Sequence, residues 1–186
     1  MTRPVAVAVT GGIGAGKSEA LEAFERHGAA VVSTDDIVHR LIAEDAEVRA
    51  ALERRLGTTE RGRIAKIVFA DPRELSWLEH LLHPLVREEC ERWLEGLGDL
   101  VEVAVVEIPL LYETGGEKRF DAVVVITAPQ ELRAARAKVP LEGRAGRLIP
   151  DDEKMRCADF AYVNEGTLEE LDDFVADVLE ELRRAL

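Results

Sequence analysis

Val5-Ala6-Val7-Ala8-Val9-Thr10-Gly11-Gly12-Ile13-Gly14-Ala15-Gly16-Lys17-Ser18 is the stretch that decides the fold. An apolar run of strand-forming residues leads into G-x-x-x-x-G-K-S, and a helical pattern follows. That is the setting of a phosphate-binding loop. Glycines let the backbone wrap a phosphate with several N–H groups turned inward, and the helix adds the positive end of its dipole. The pattern assigns Lys17 to the β- and γ-phosphates and the Ser18 hydroxyl to Mg²⁺. An ordinary glycine turn is the competing reading, and the strand in front counts against it.

The rest of the composition bounds what such a loop can serve. A length of 186 residues suits one α/β domain with a small appendage, and 47% hydrophobic residues supply a core. A formal net charge of −13 argues against a nucleic-acid partner, so a substrate phosphate has to be met by local arginines. Cys90 and Cys157 lie far apart without metal-like spacing and read as free thiols in a reducing compartment. The apolar run near the N-terminus ends in glycines, too short for a leader or a span, and no other stretch reaches spanning length. The expectation is a cytoplasmic protein with no membrane partner, monomeric or weakly oligomeric.

Outward from the loop, a helix is expected from Lys17 to about His27, stopped by Gly28, and a short strand over Ala29–Val32. Ser33-Thr34-Asp35 reads as a cap for the next helix. Leu41–Leu56 reads as helical, ending at Gly57. Between Ile64 and Trp93 apolar residues recur at helical spacing, with breaks at Asp71-Pro72 and His83-Pro84. Two or three helices are expected there, in an excursion too long for a simple crossover. Val101–Ile108 and Asp121–Thr127 read as buried strands, Pro129 as a helix start and Phe160–Val163 as a last strand. A final helix is expected from Leu168, capped by Gly166-Thr167. Alternating strands and helices imply a mostly parallel sheet with helices on both faces, whose ligands sit at the carboxyl ends of the strands. Thr10–Gly11, Thr34–Asp35, Ile108–Pro109 and Ala128–Pro129 fall at such ends.

Several residues at these ends carry chemistry, each with a bland role beside it. Asp35 is placed to orient an acceptor hydroxyl and take its proton late in a phosphoryl transfer, or else to cap a helix. Glu107 closes an apolar strand as Mg²⁺-holding acids do in phosphate-loop proteins, or caps the turn at Pro109. His83 beside Pro84 is a ligand-binding or a structural histidine. Arg133, Arg136, Arg144 and Arg147, among Pro140, Gly143 and Gly146, read as a lid that closes on phosphates, or as a solvated basic loop.

Taken in order, the segments Gly11–Ser18, Val31-Val32-Ser33-Thr34-Asp35, Ile67-Val68-Phe69 and Leu82-His83-Pro84-Leu85-Val86 resemble dephospho-coenzyme A kinase. So do Glu107-Ile108-Pro109-Leu110-Leu111-Tyr112-Glu113, Glu153-Lys154 with Ala158-Asp159, and Asn164. The resemblance covers nearly the whole chain. It implies an α/β, P-loop kinase-like fold: a parallel five-stranded sheet with helices on both faces, a helical acceptor-binding insertion at about 57–97 and a lid at about 130–150. It also implies transfer of the γ-phosphoryl group of ATP, with Mg²⁺, to the ribose 3′-hydroxyl of dephospho-coenzyme A. Carried over by position, Asp35 is the catalytic base, with Lys17 and Arg144 assisting. Gly12, Ile13, Gly14, Ala15, Gly16, Lys17, Ser18 and Glu19 hold ATP, with Arg133 and Arg136. Asp35, His83, Glu107, Pro109 and Leu110 meet the acceptor, and Ser18 and Glu107 meet the metal. Two features depart from the family's pattern: Glu107 stands where Asp is usual, and the lid segment is shorter than usual. Another small-molecule kinase on the same scaffold, or a nucleotide-binding relative with weakened turnover, remains the alternative. A GTP switch lacks its Asn-Lys-x-Asp and Asp-x-x-Gly segments here.

Overall fold

The computed structural model describes residues 3–136 and 149–184. Five strands, β1 (Val5–Thr10), β2 (Ala30–Ser33), β3 (Val103–Glu107), β4 (Ala122–Thr127) and β5 (Phe160–Val163), form a parallel sheet in the order β2-β3-β1-β4-β5. The helices among the described residues are α1 (Lys17–Arg26), α2 (Thr34–Glu44), α3 (Ala46–Leu56), α4 (Arg61–Ala70), α5 (Pro72–Glu95), α6 (Gln130–Arg136), α7 (Asp151–Cys157) and α8 (Leu168–Arg184). None of them is long and apolar enough to cross a membrane.

The central strands β1, β3 and β4 are buried on both faces, which is why they read as continuous apolar runs, whereas the edge strand β5 alternates half-buried and exposed residues. Val7, Val9, Val103, Val105, Val124 and Ile126 pack with Ala20, Ala23 and Phe24 of α1 and with Leu171, Val175, Val178 and Leu179 of α8. The intervening residues Ala8, Val123 and Val125 turn to the other face, against Leu111, Tyr112, Met155 and Ala158. The period of two along each strand thus sorts side chains between two layers of helix and loop. Helix α8 starts with a reciprocal cap: Glu170 N–H donates to Thr167 Oγ1 at 3.2 Å, and Thr167 N–H donates to Glu170 Oε2 at 2.7 Å.

By internal contacts the chain divides into the sheet-bearing unit, from 1–32 and 96–186, and a helical unit, Ser33–Glu95. The helical unit takes in α2 and α3 as well as the segment from 57 to 95, because α2 packs against α5 and α3 follows from it. Two local readings change here. The helical stretch expected over Leu41–Leu56 is two helices, since Asp45 is extended (ψ 119°) and its carboxylate caps α3 by accepting from Glu47 and Val48 N–H. The break expected at His83-Pro84 is absent: α5 runs through Pro84, with α2 and α4 packed on it. The break at Asp71-Pro72 is present, with Pro72 opening α5. Cys90 is buried and Cys157 exposed.

Candidate functional site

The sheet-bearing unit places the phosphate loop between two buried elements. β1 ends at Thr10, flanked by β3 and β4, and α1 begins at Lys17. Lys17 is 9% exposed, and its Nζ donates to the Gly12 carbonyl at 3.1 Å. Ser18 and Glu19 are exposed in the first turn of α1. Two more carbonyls of the loop are held from outside it. Arg133 Nε donates to Ile13 O at 3.1 Å, and the buried Asn164 donates Nδ2 to Ala15 O at 2.8 Å. A trans peptide sets its C=O and N–H on opposite sides. Fixing the carbonyls of Gly12, Ile13 and Ala15 therefore fixes the N–H directions of Ile13, Gly14 and Gly16, the donors a bound phosphate needs.

Arg133 comes closest to the loop of the arginines in the described segment. It lies on α6, directly after β4, and its guanidinium also donates to the Asp151 carboxylate at the start of α7. Asp151 Oδ2 accepts as well from Thr127 Oγ1, at 2.9 Å, at the end of β4. Arg136, exposed, donates to the Asn164 carbonyl at 3.3 Å. Arg144 and Arg147, with the rest of 137–148, lie outside the described residues.

Glu107 ends β3 in register with Val9, beside the residues that lead into the loop, and is 8% exposed. It has the parity of Val103 and Val105, so it points to the face that α1 covers. Pro109 and Leu110 follow, half-buried. Thr10 Oγ1 donates to Pro109 O at 3.4 Å, and Thr114 N–H donates to Leu110 O at 3.2 Å. Further on, Glu113 Oε1 pairs with Lys154 Nζ at 2.6 Å and accepts from Ile149 N–H at 3.1 Å; Lys154 is 2% exposed. Burial pushes the neighbouring Tyr112 hydroxyl up to about 12, helped by the charges of Cys157, Asp159 and Glu117. It stays protonated at neutral pH.

In the helical unit, Asp35 is exposed in the first turn of α2, one residue past Thr34. It is not the cap: that position belongs to Ser33, whose side chain makes no capping bond. His83 is exposed on α5, immediately before Pro84. Thus Lys17, the loop and Arg133 are brought together, with Glu107 at the loop's entrance. Thr127, Asp151 and Asn164 were not among the candidate ligands of the loop. They come from the ends of β4 and β5 and the start of α7, and a strand-end polar residue was their signal.

A family model described as dephospho-CoA kinase matches residues 5–170. A dephospho-CoA kinase of Brucella melitensis is 36% identical over 190 residues, 94% of each chain. One from Mesorhizobium japonicum is 36% identical over 191 residues, 96% of this chain and 97% of its own. Among solved structures, dephospho-CoA kinase from Campylobacter jejuni superposes with TM-score 0.71 at 26% identity, covering 97% of this chain and 98% of its own. A Thermus thermophilus protein gives TM-score 0.81 at 31% identity, covering 97% and 99%. Shikimate kinase from Aquifex aeolicus, at 15% identity and TM-score 0.53 over 95% of this chain and 97% of its own, shares the fold.

Proposed function

The chain belongs to the dephospho-CoA kinase family and performs ATP-dependent phosphorylation of dephospho-coenzyme A in coenzyme A biosynthesis, and from that premise we propose how its residues divide the reaction. The loop from Gly12 to Glu19 holds the ATP phosphates through its backbone N–H groups, and Lys17 neutralises charge on the β- and γ-phosphates. Ser18 and Glu107 offer a hydroxyl and a carboxylate, the hard oxygen donors that Mg²⁺ takes. That ion, when bound, neutralises charge on the phosphates. Asp35 orients the ribose 3′-hydroxyl of the acceptor. As that oxygen bonds to the γ-phosphorus, the bond from phosphorus to the bridging oxygen of ADP breaks, and the hydroxyl proton passes to the Asp35 carboxylate. His83, Pro109 and Leu110 meet the acceptor. Arg133, Arg136 and Arg144 serve the ATP side.

The observation that carries this reading is the phosphate loop itself, with three of its carbonyls held by Lys17, Arg133 and Asn164 so that its donors are set in advance. The test mixes the protein with Mg-ATP and dephospho-coenzyme A and follows ADP release for the parent and for Asp35→Asn. The variant is expected to bind ATP as the parent does while kcat drops by about 10²–10⁴, the scale of a lost general base. Turnover near the parent rate would remove Asp35 from the chemistry.

A further inference from the structure

The contact between Arg133 and the phosphate loop is held from a third place. Arg133 reaches Ile13 O through Nε and covers Gly12: a Cβ there would lie 2.7 Å from its Cζ. Among the described residues no side chain of α6 bonds that guanidinium, and an arginine side chain has several rotatable bonds to order. Asp151 supplies the constraint. Its Oδ2 accepts from Arg133 Nη1 and, at 2.9 Å, from Thr127 Oγ1, so the carboxylate is anchored to the end of β4, a strand that flanks β1. One turn further along α7, Lys154 is held in its buried pair with Glu113, which keeps the short helix that carries Asp151 in place.

We propose that Asp151 is a positioning residue for the ATP site: its carboxylate holds the Arg133 guanidinium on Ile13 O, and so sets the Ile13–Gly14 peptide plane with the Gly14 N–H turned to the phosphates. This rests on the reading that the Gly11–Ser18 loop holds ATP. Charge-assisted bonds of this kind are stronger than neutral ones, and one planar guanidinium shared between Asp151 and Ile13 O adds direction. A loop set in advance loses less freedom when ATP binds than one that must be ordered by it. The bond Asp151 makes toward the loop is the one to Arg133, so its effect on the loop is routed through that guanidinium.

The experiment measures ATP binding by titration, and KM for ATP and for dephospho-coenzyme A, in the parent, Asp151→Asn, Arg133→Gln and the double variant. Asp151→Asn keeps the shape of the side chain and an acceptor for Thr127, while the charge facing Arg133 is lost. It is expected to weaken ATP by about tenfold and leave KM for dephospho-coenzyme A unchanged, a split that a general loss of structure does not produce. Arg133→Gln should do the same, and the double variant should be no weaker than Arg133→Gln alone, because both act through one contact. The Gly14 amide resonance should shift in Asp151→Asn before any ATP is added. ATP affinity within about twofold of the parent in Asp151→Asn, or two single effects that multiply in the double variant, would overturn the proposal. If Asp151→Asn folds poorly, Thr127→Val removes the carboxylate's other anchor and must show the same split. Lys17→Ala separates the two readings: ATP binding unchanged in that variant means the ATP loop is misassigned, whereas a silent Asp151→Asn beside a defective Lys17→Ala overturns the role of Asp151 alone.

Discussion

At Gly12 and Gly14 an added methyl group would meet Arg133 in two different ways. Both positions are free in the phosphate-loop pattern, which demands glycine at Gly11 and Gly16. Gly14 has φ +73°, and a Cβ there would fall 2.6 Å from the Arg133 carbonyl, so Gly14→Ala combines left-handed strain with a backbone clash. It is expected to cost about 1–2 kcal/mol or more of stability, read by chemical denaturation. At Gly12 the atoms in the way belong to the far end of the Arg133 side chain, which can swing aside. Gly12→Ala should therefore melt near the parent temperature and lose ATP affinity several-fold, through the displaced guanidinium. The opposite pattern, a stable Gly14→Ala and an unfolding Gly12→Ala, would mean that the Arg133 side chain does not lie over Gly12. The loop was legible in the sequence as a motif. Why it needs glycine at two free positions was not, because the cause lies on a helix well over a hundred residues further along the chain.

Elements show where local rules yielded to packing. Pro84 has no N–H to give to the carbonyl four residues back, a loss of about 3 kcal/mol in an isolated helix, yet α5 runs through it. Helices α2 and α4 pack along α5, and their contacts outweigh a local defect that the sequence presents as a break. The division at Asp45 is the reverse case, a capping carboxylate inside a run whose periodicity looked continuous. Helix α7 is short and depends on its two side-chain anchors. Removing one partner of the Glu113–Lys154 pair leaves a charge without compensation at a position that is 2% exposed. Glu113→Gln is expected to destabilise by about 3 kcal/mol, measured by urea denaturation, while Glu113→Leu combined with Lys154→Met should recover most of that loss. Equal losses in the single and paired variants would show that Glu113 matters for packing and not for charge.

For the molecule as a whole, a net charge of −13 sets the terms on which acid acts. Asp121 ties the start of β4 to the N-terminal side of β1: it takes Arg3 through two bonds of 2.8 and 2.7 Å and accepts from Ala6 N–H at 2.8 Å. Burial works against its charge, but the Arg3 and Ala6 bonds outweigh that and hold its carboxyl below the ordinary value of 3.8. A carboxyl depressed in the folded state stabilises fully above its unfolded value, and that stabilisation is lost as pH falls through the folded one. Melting temperature should thus fall below about pH 4, and Asp121→Asn should flatten the acid limb while lowering the plateau above it. An unchanged limb in that variant would move the acid sensitivity to other carboxylates, such as Asp172, held low by Arg26 and His27. The sequence by itself determined the phosphate loop, the five strands and the order in which helices separate them, because apolar periodicity and a glycine-lysine-serine signature are local properties of a chain. Tertiary structure decided which side chains hold that loop. Arg133, Asp151, Thr127 and Asn164 meet there only because β4 and β5 end on the same side of the sheet as β1, a fact of strand order that no local pattern carries.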